Sequence, residues 1–198
     1  MKIGVLGAGA VGSKISALAK AAGHDVVVGG RTGGVSFADA ATHGELVILA
    51  IPFHASTETL PPLSTLLVDK IVVDATNPLN DDWSPMLLGQ STSAAEEIAR
   101  LLPRTRLVKA FNTVFADVMS AKAQAQFGRK ITAFIAGDEQ TAVRRVVELA
   151  AGMGFQPVTI AHLAAARYLE ALAHLNIALA LAPGGSTSAA FIYHKGDS

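Results

Sequence analysis

Three glycines near the start of the chain have the spacing and the flanks of a phosphate cradle. Gly7-x-Gly9-x-x-Gly12 follows the short apolar run Met1-Lys-Ile-Gly-Val-Leu6 and leads into Val11, Ile15, Leu18 and Ala22 at helical spacing. In such a strand–turn–helix the first glycine makes the tight turn, and the second lets backbone approach a pyrophosphate. The third lets the helix pack on the strand, while the helix N-terminus offers free N–H groups and a positive dipole end. Gly7, Ala8, Gly9, Ala10, Val11 and Gly12 are thus the candidate pyrophosphate cradle. Gly23 ends the helix, and Val26-Val27-Val28 reads as the next strand.

The end of that strand selects the dinucleotide. A site preferring NAD places Asp or Glu there, about 20 residues on, to accept from the ribose 2′-hydroxyl. Here the strand runs into Gly29-Gly30-Arg31-Thr32, with no acid. A carboxylate would repel a 2′-phosphate, whereas Arg31 can pair with one and Thr32 adds a hydroxyl donor. The bland alternative makes Arg31 a solvated surface charge. Its position favours the phosphate role, and the expected cofactor is NADP.

Other reactive types give less. With no cysteine, thiolate chemistry, disulfides and cysteine zinc sites are excluded. The six histidines show no paired metal spacing. His174 falls on an apolar helix and reads as a hydrogen-bonded packing residue; His54 alone falls at a strand end. Asp81-Asp82 and Glu96-Glu97 are explained by loop and helix-start positions, and Trp83 reads as a packed loop aromatic.

The chain has 198 residues, enough for one α/β unit with a small appendage. Half of the residues (51%) are apolar and only 16% charged, so a large core is available. The net charge of zero argues against nucleic acid or an anionic membrane as main partner. The longest apolar run, Ile177 to Ala182, is too short for a bilayer. Met1 leads directly into the first strand with no signal segment, so the cytoplasm is the expected compartment.

Strands and helices alternate along the chain. Strands are expected near Lys2–Leu6, Asp25–Val28, Glu45–Ile51, Lys70–Ala75, Arg106–Phe111, Ile131–Ala136 and Pro157–Ile160. Helices are expected near Val11–Ala22, Phe37–Thr42, Ala94–Leu102, Glu139–Ala151 and His162–Leu181. Ser93-Ala-Ala-Glu96 is a capping-box pattern, and Asp138 is placed to cap the helix after it. The implied fold is α/β, a Rossmann-type doubly wound, mostly parallel sheet with a short C-terminal helical appendage. The division is 1–160 for dinucleotide binding and 161–198 for the acceptor site and dimer contacts. Between Arg31 and Glu45 the chain is too short for the usual helix, strand and helix, so the usual third strand should be missing or vestigial. Leu79–Thr92 is expected to be a mobile surface loop near the site.

Ligands in such sheets bind beyond the carboxyl ends of the strands, at the topological switch point. That rule adds Ile51-Pro52-Phe53-His54, Asp74-Ala75-Thr76-Asn77-Pro78 and Lys109-Ala110-Phe111-Asn112-Thr113 to the glycine turn and the Arg31 segment. For Pro52 and Pro78, simple strand termination is a sufficient explanation.

With those residues in view, the chain resembles the NADP oxidoreductases dependent on the deazaflavin coenzyme F-420, and also the reductase domain of the Steap metalloreductases. The motifs carrying the resemblance are MKIGVLGAGAVG, VVVGGRT, DATNPL, SAAEEIARLLP, VKAFNT, FIAGD and AARYLEALAHLNIALA, in family order over nearly the whole chain. The resemblance implies hydride transfer between NADP(H) and a flavin-like ring stacked near the nicotinamide. It implies Gly7 to Val11 at the pyrophosphate, Arg31 and Thr32 at the 2′-phosphate, and Ile51, Pro52, Phe53 and His54 on the adenosine side. Ala75, Thr76, Asn77, Ala110, Asn112 and Thr113 would surround the nicotinamide, and Pro183, Gly184 and Gly185 would approach the second ring. The family pattern carries Ser at Gly30, basic residues at Gly33 and Gly34, and, in deazaflavin reductases, His at Asn112. The missing donors predict weaker 2′-phosphate binding. Deazaflavin F-420, FMN and FAD are all candidate acceptors.

Hydride passing between stacked carbons needs little side-chain chemistry, so no acid or base is assigned. Asn112 is the first candidate for a polar contact to the carboxamide or acceptor ring, with Thr113 and Thr76 after it. Each could instead satisfy backbone groups at a strand end. A metal reductase working through a bound flavin and a non-catalytic NADP(H) sensor are the competing readings. Hydroxyacid or pyrroline-carboxylate reductases need a helical domain of about 100 residues, and only one long helix remains after the sheet. That helix carries Tyr168, Leu172, Leu175 and Leu179 on one stripe, suited to packing on the sheet, and its last turns are apolar all round. A homodimer through it is therefore expected.

Overall fold

The computed structural model describes residues 1–32, 34–88 and 91–196; Gly33 and two positions of the 79–92 loop lie outside the described residues. The elements are β1 (Lys2–Leu6), α1 (Ala10–Ala21), β2 (Asp25–Gly29), α2 (Phe37–His43), β3 (Leu46–Leu49), α3 (Ser56–Thr59) and β4 (Ile71–Asp74). They continue with α4 (Ala94–Leu101), β5 (Arg106–Ala110), α5 (Ala121–Gln124), β6 (Thr132–Gly137), α6 (Gln140–Gly152), β7 (Gln156–Ala161) and α7 (Ala166–Leu181). They form one seven-stranded sheet in the order β2-β1-β3-β4-β5-β6-β7.

The strands are apolar throughout because both faces are covered. Ile3, Val5, Leu46, Ile48, Ile71 and Val73 join one core with Ile15 and Leu18 of α1 and Val146 and Leu149 of α6. The alternate residues Leu6, Val47, Leu49 and Val72 join the core on the other face, with Ala40 of α2 and Ile98 of α4. β2 sits at the sheet edge, because the chain between it and β3 holds only the seven-residue α2. Among the described residues there is no third strand of the usual doubly wound order, as the short spacing predicts. The chain leaves β1 in one direction to β2 and returns to place β3 on its other side, so the switch point lies between β1 and β3.

One pairing is antiparallel, β5 with β6. A parallel crossover takes a dozen or more residues, usually through a helix. The segment after β5 offers only the four-residue α5 and short 3-10 turns, so the chain turns back instead.

Several local expectations need correction. Glu139, not Asp138, caps α6, accepting from the backbone N–H groups of Thr141 and Ala142 at 2.9 and 2.7 Å. Asp138 lies one residue too early and accepts from Leu163 N at 3.0 Å. Ser93 caps α4 through its hydroxyl, but Glu96 turns its carboxylate to Arg167 and the Ser93 hydroxyl instead of closing the box on backbone. The last helix begins at Ala166, after a 3-10 turn over Leu163–Ala165, because His162 adopts a positive φ of 69° that ends regular structure there. Its packing face is Ala166, Leu169, Glu170, Ala173, Asn176 and Ile177. Of the expected stripe Tyr168, Leu172, Leu175 and Leu179, Leu172 is half-buried and the other three point away from the sheet, with Tyr168 75% exposed. Two polar residues, Glu170 and Asn176, define the inward face because they have buried partners.

Candidate functional site

The glycine turn is built as its spacing predicts, and the three glycines are required for different reasons. Gly7 has φ +121°, and a Cβ there would lie 2.2 Å from the Ala50 carbonyl oxygen. A Cβ on Gly12 would lie 1.9 Å from the Gly7 carbonyl oxygen. Both are glycines for internal packing. Gly9 is different: φ is an ordinary −72°, and a Cβ would meet nothing within 4 Å. Neither backbone conformation nor packing within the protein requires glycine at 9. Gly9 is also the N-cap of α1 and supplies no side-chain cap, and the first turn carries no acid. The N–H groups of that turn have no intrahelical acceptor and face the same opening.

In front of this turn runs a trough of about 480 Å³ whose walls include Gly9, Ala10, Val11, Ile51, Pro52, Phe53, His54, Ala75, Thr76 and Asn77. Its size falls in the range of about 300–1,000 Å³ usual for small-molecule sites. It adjoins an apolar cavity of about 210 Å³ that takes in Asn112, Thr113, Phe111 and the α7 residues Ala173, Asn176 and Ile177. Ala10, Val11, Ala75, Asn77, Leu79 and Trp83 belong to both, so the two spaces form one cleft. Trp83 is not packed away: it is 47% exposed, holds a φ of 68°, and stands where trough and cavity meet.

Other candidate residues fall around the cleft or outside it. Arg31 and Thr32 are exposed and do not line it, but their neighbourhood adjoins the glycine turn. Gly7 N donates to Gly29 O at 3.0 Å, and a Cβ on Gly30 would sit 3.6 Å from Ala8 Cβ. Ala8 borders the turn, its carbonyl accepting from the Ser13 hydroxyl at 3.0 Å. Ala110 is buried in β5. Pro183, Gly184 and Gly185 follow α7 as an exposed turn closed by Gly185 N donating to Ala182 O at 2.7 Å, and none lines the cleft. His174 Nε2 donates to Pro78 O, 3.2 Å away, as a packing residue would. Among the described residues no cluster of three or more His, Cys, Asp or Glu could hold a metal ion.

The ends of β4 and β5 are tied together by buried polar contacts. Asn77 Nδ2 donates to Asn112 O, and Asn112 Nδ2 donates to Asn77 Oδ1 and to Leu169 O. Asn176 Nδ2 donates to Thr113 O at 3.1 Å. Phe111, bulky and 1% exposed, holds a φ of 66°, a conformation costing about 1–3 kcal/mol that the surrounding packing must impose. It turns the chain so that Asn112 faces the cleft. Two buried polar atoms near the cleft remain without partners, Thr76 Oγ1 and Asn112 Oδ1.

Sequence reasoning missed a buried ionic group behind this wall. Lys109, fully buried, donates to Asp74 Oδ2 at 2.8 Å and Thr76 O at 2.7 Å, and pairs with Glu170 Oε1 at 2.9 Å. Burial pushes the Lys109 pKa down, but the carboxylates of Asp74 and Glu170 outweigh it and hold it above the ordinary lysine value. Glu170 also accepts from Ala94 N and Ala95 N, so the second negative charge rests on the N-terminus of α4. Removing one member of such a group costs about 3–5 kcal/mol. A signal was available: a lysine inside the strand Leu-Val-Lys-Ala, an aspartate ending Ile-Val-Val-Asp, and a glutamate on an apolar helix must find each other once all three elements are buried.

Similarity to known proteins follows the same outline. The family model for NADP oxidoreductase, coenzyme F420-dependent, matches residues 30–78. A crystal structure of a candidate F420-dependent NADP reductase from Arthrobacter sp. FB24 superposes with a TM-score of 0.84 at 29% identity, covering 94% of this chain and 96% of the other. This chain is similar to the F420-dependent NADP reductases over most of its length. The F420-dependent NADP reductase of Methanothermobacter thermautotrophicus is 28% identical over 214 residues, 90% of this chain and 89% of its own. The rat metalloreductase STEAP3 is 33% identical over 182 residues, 86% of this chain but only 36% of its own length. The chain thus spans about a third of the metalloreductases it matches. No helix among the described residues is long and apolar enough to cross a membrane.

Proposed function

We propose that this chain is an NADP(H)-dependent oxidoreductase that passes hydride between the nicotinamide and a deazaflavin or flavin-like acceptor. The carrying observation is Gly9, whose missing side chain faces open space in front of an uncapped helix N-terminus. A pyrophosphate there would explain why the position is glycine and what the first-turn N–H groups bond. On this reading Arg31 and Thr32 hold the 2′-phosphate and Ile51 to His54 flank the adenosine. Ala75 to Asn77 and Ala110 to Thr113 surround the nicotinamide, and Pro183 to Gly185 approach the acceptor. Residues 1–160 serve dinucleotide binding and 161–198 the acceptor and a second copy of the chain. An enzyme drawing on NADPH belongs with that pool, in the cytoplasm.

The cofactor fits the donor set. Asn112 Oδ1 is buried without a donor, which supports a carboxamide N–H as its partner in the bound state. When bound, NADPH supplies the hydride at nicotinamide C4; the chain orients and dries the site. Phe111, Val114 and Ala173 line an apolar wall that excludes water, while the Asn77–Asn112 pair fixes the two loops that would grip the ring. No side chain is asked to move a proton.

Calorimetry with NADPH and NADH tests the reading, followed by turnover with deazaflavin, FMN, FAD and ferric chelates. NADPH is expected to bind. Arg31→Ala should weaken NADPH about tenfold while leaving NADH nearly unchanged. Equal losses for both, or no heat from either, would contradict the reading; binding without oxidation by any acceptor would favour a sensor.

A further inference from the structure

We infer that Lys109 is a positioning residue: it transmits the seat of α7 into the backbone of Thr76 and Asn77, and so sets the floor on which a nicotinamide ring rests. The inference rests on the cofactor reading above. Thr76 is clamped on both sides of its backbone. Its N–H donates to Asp74 Oδ1 at 2.8 Å, and its carbonyl accepts from Lys109 Nζ at 2.7 Å. Lys109 gives its remaining donors to Asp74 Oδ2 and Glu170 Oε1. Every hydrogen of the ammonium is used, and both carboxylates have their oxygens engaged. A fixed charge with no spare partner defines one geometry, unlike an apolar contact that tolerates sliding.

Glu170 makes this more than a local brace. It stands on α7, whose neighbouring residues Leu169 and Asn176 bond the Asn112 side chain and the Thr113 carbonyl. A displacement of α7 therefore reaches both strand ends at once: through Lys109 to Thr76 and through Leu169 to Asn112. Ala173 and Ile177 on the same helix face the apolar cavity. Whatever occupies that cavity beside the ring presses on the helix that Lys109 ties to the ring's floor.

The test separates ring placement from phosphate binding with two probes, NADPH and 2′-phospho-ADP-ribose, which lacks the nicotinamide. The first variant is Asp74→Asn/Lys109→Met/Glu170→Gln, which removes the charges together and leaves acceptors for Thr76 N and the start of α4. The second is Glu170→Gln alone, which leaves the oppositely charged Lys109–Asp74 pair in place and keeps the triple variant's possible failure to fold from deciding the matter. Thermal melting confirms folding of each. In wild type NADPH should bind with enhanced nicotinamide fluorescence. In the folded variants the affinity for 2′-phospho-ADP-ribose should stay within about twofold. NADPH should lose at least about threefold in the triple variant, with its fluorescence enhancement, and less in Glu170→Gln. Folded variants in which both probes behave as in wild type, or in which both weaken equally, overturn the inference. Wild type that binds neither probe overturns the cofactor reading, and this inference with it.

Discussion

Asn77 and Asn112 hold each other's loops. Asn77 Nδ2 donates to the Asn112 carbonyl at 2.8 Å, and Asn112 Nδ2 donates to Asn77 Oδ1 at 2.9 Å. The loops leave adjacent parallel strands, β4 and β5, so this exchange fixes the distance between two walls of the cleft. Asn112 spends its second amide hydrogen on Leu169 O at 3.0 Å. Its Oδ1 is left buried without a donor, an arrangement that costs stability unless a ligand supplies one. Asn112 is thus part of the scaffold on its nitrogen side, while its oxygen stays buried and unpartnered.

Asn112→Ala should therefore do two separable things. Asn77 Oδ1 and Leu169 O lose their donor, which should lower stability by about 1–3 kcal/mol in urea unfolding. The carboxamide contact proposed for Asn112 would go as well, so turnover of NADPH with a flavin acceptor should fall about tenfold or more while KM changes less. Unchanged turnover in a destabilised protein would reduce Asn112 to scaffold alone.

The glycine turn offers a sharper contrast. Gly7→Ala and Gly12→Ala drive a methyl into backbone at 2.2 and 1.9 Å and should destabilise strongly or prevent folding. Gly9→Ala meets no protein atom within 4 Å, so its melting temperature should hold or rise slightly. Binding of NADPH should nevertheless weaken about tenfold or more, because the methyl would occupy the place proposed for the pyrophosphate. Retained affinity in Gly9→Ala would remove the main support for the cradle.

Much of this was legible in the sequence because the relevant signals are local. Strand runs such as Leu-Val-Ile-Leu at 46–49, the glycine spacing and the short stretch before β3 each report their own surroundings, and the sheet follows from their order. What was not legible depends on which element lies against which. The letters mark Lys109, Asp74 and Glu170 as charges on apolar elements that need partners, but nothing in them says that Phe111 takes a left-handed backbone. The α7 stripe was misread for the same reason: Tyr168, Leu175 and Leu179 are the more apolar face, yet the inward face is the one whose Glu170 and Asn176 find buried partners.

The contact between α4 and α7 gives stability a pH dependence. Arg167 donates to both oxygens of Glu96, at 2.9 and 2.6 Å, and holds its carboxyl below the usual glutamate value, with Ser93 helping. A carboxyl whose pKa is depressed by folding stabilises the native state above the unfolded value and loses that contribution as pH falls through the folded value. Glu96→Gln should thus cost about 1 kcal/mol at pH 7. Its melting temperature should converge with wild type as pH falls below the ordinary glutamate range. A constant gap from neutral to strongly acidic pH would show that ionisation of Glu96 is not what ties the helices.

The outward face of α7 bears on assembly. Tyr168, Leu175, Leu179 and Leu181 are 75, 52, 55 and 66% exposed on this one element, and Leu87 of the long loop is 89% exposed. Single exposed apolar residues are ordinary, but several on one helix imply a covering partner. A second copy satisfies this with a self-complementary contact, as two-fold dimers do. Sedimentation at micromolar protein should give twice the 20.4 kDa chain mass. Leu175→Glu should shift it to monomer while leaving the fold intact, because the residue touches no core cluster. If wild type sediments as a clean monomer across that range, the face is covered by something else or by nothing, and the 161–198 segment loses its role in self-association.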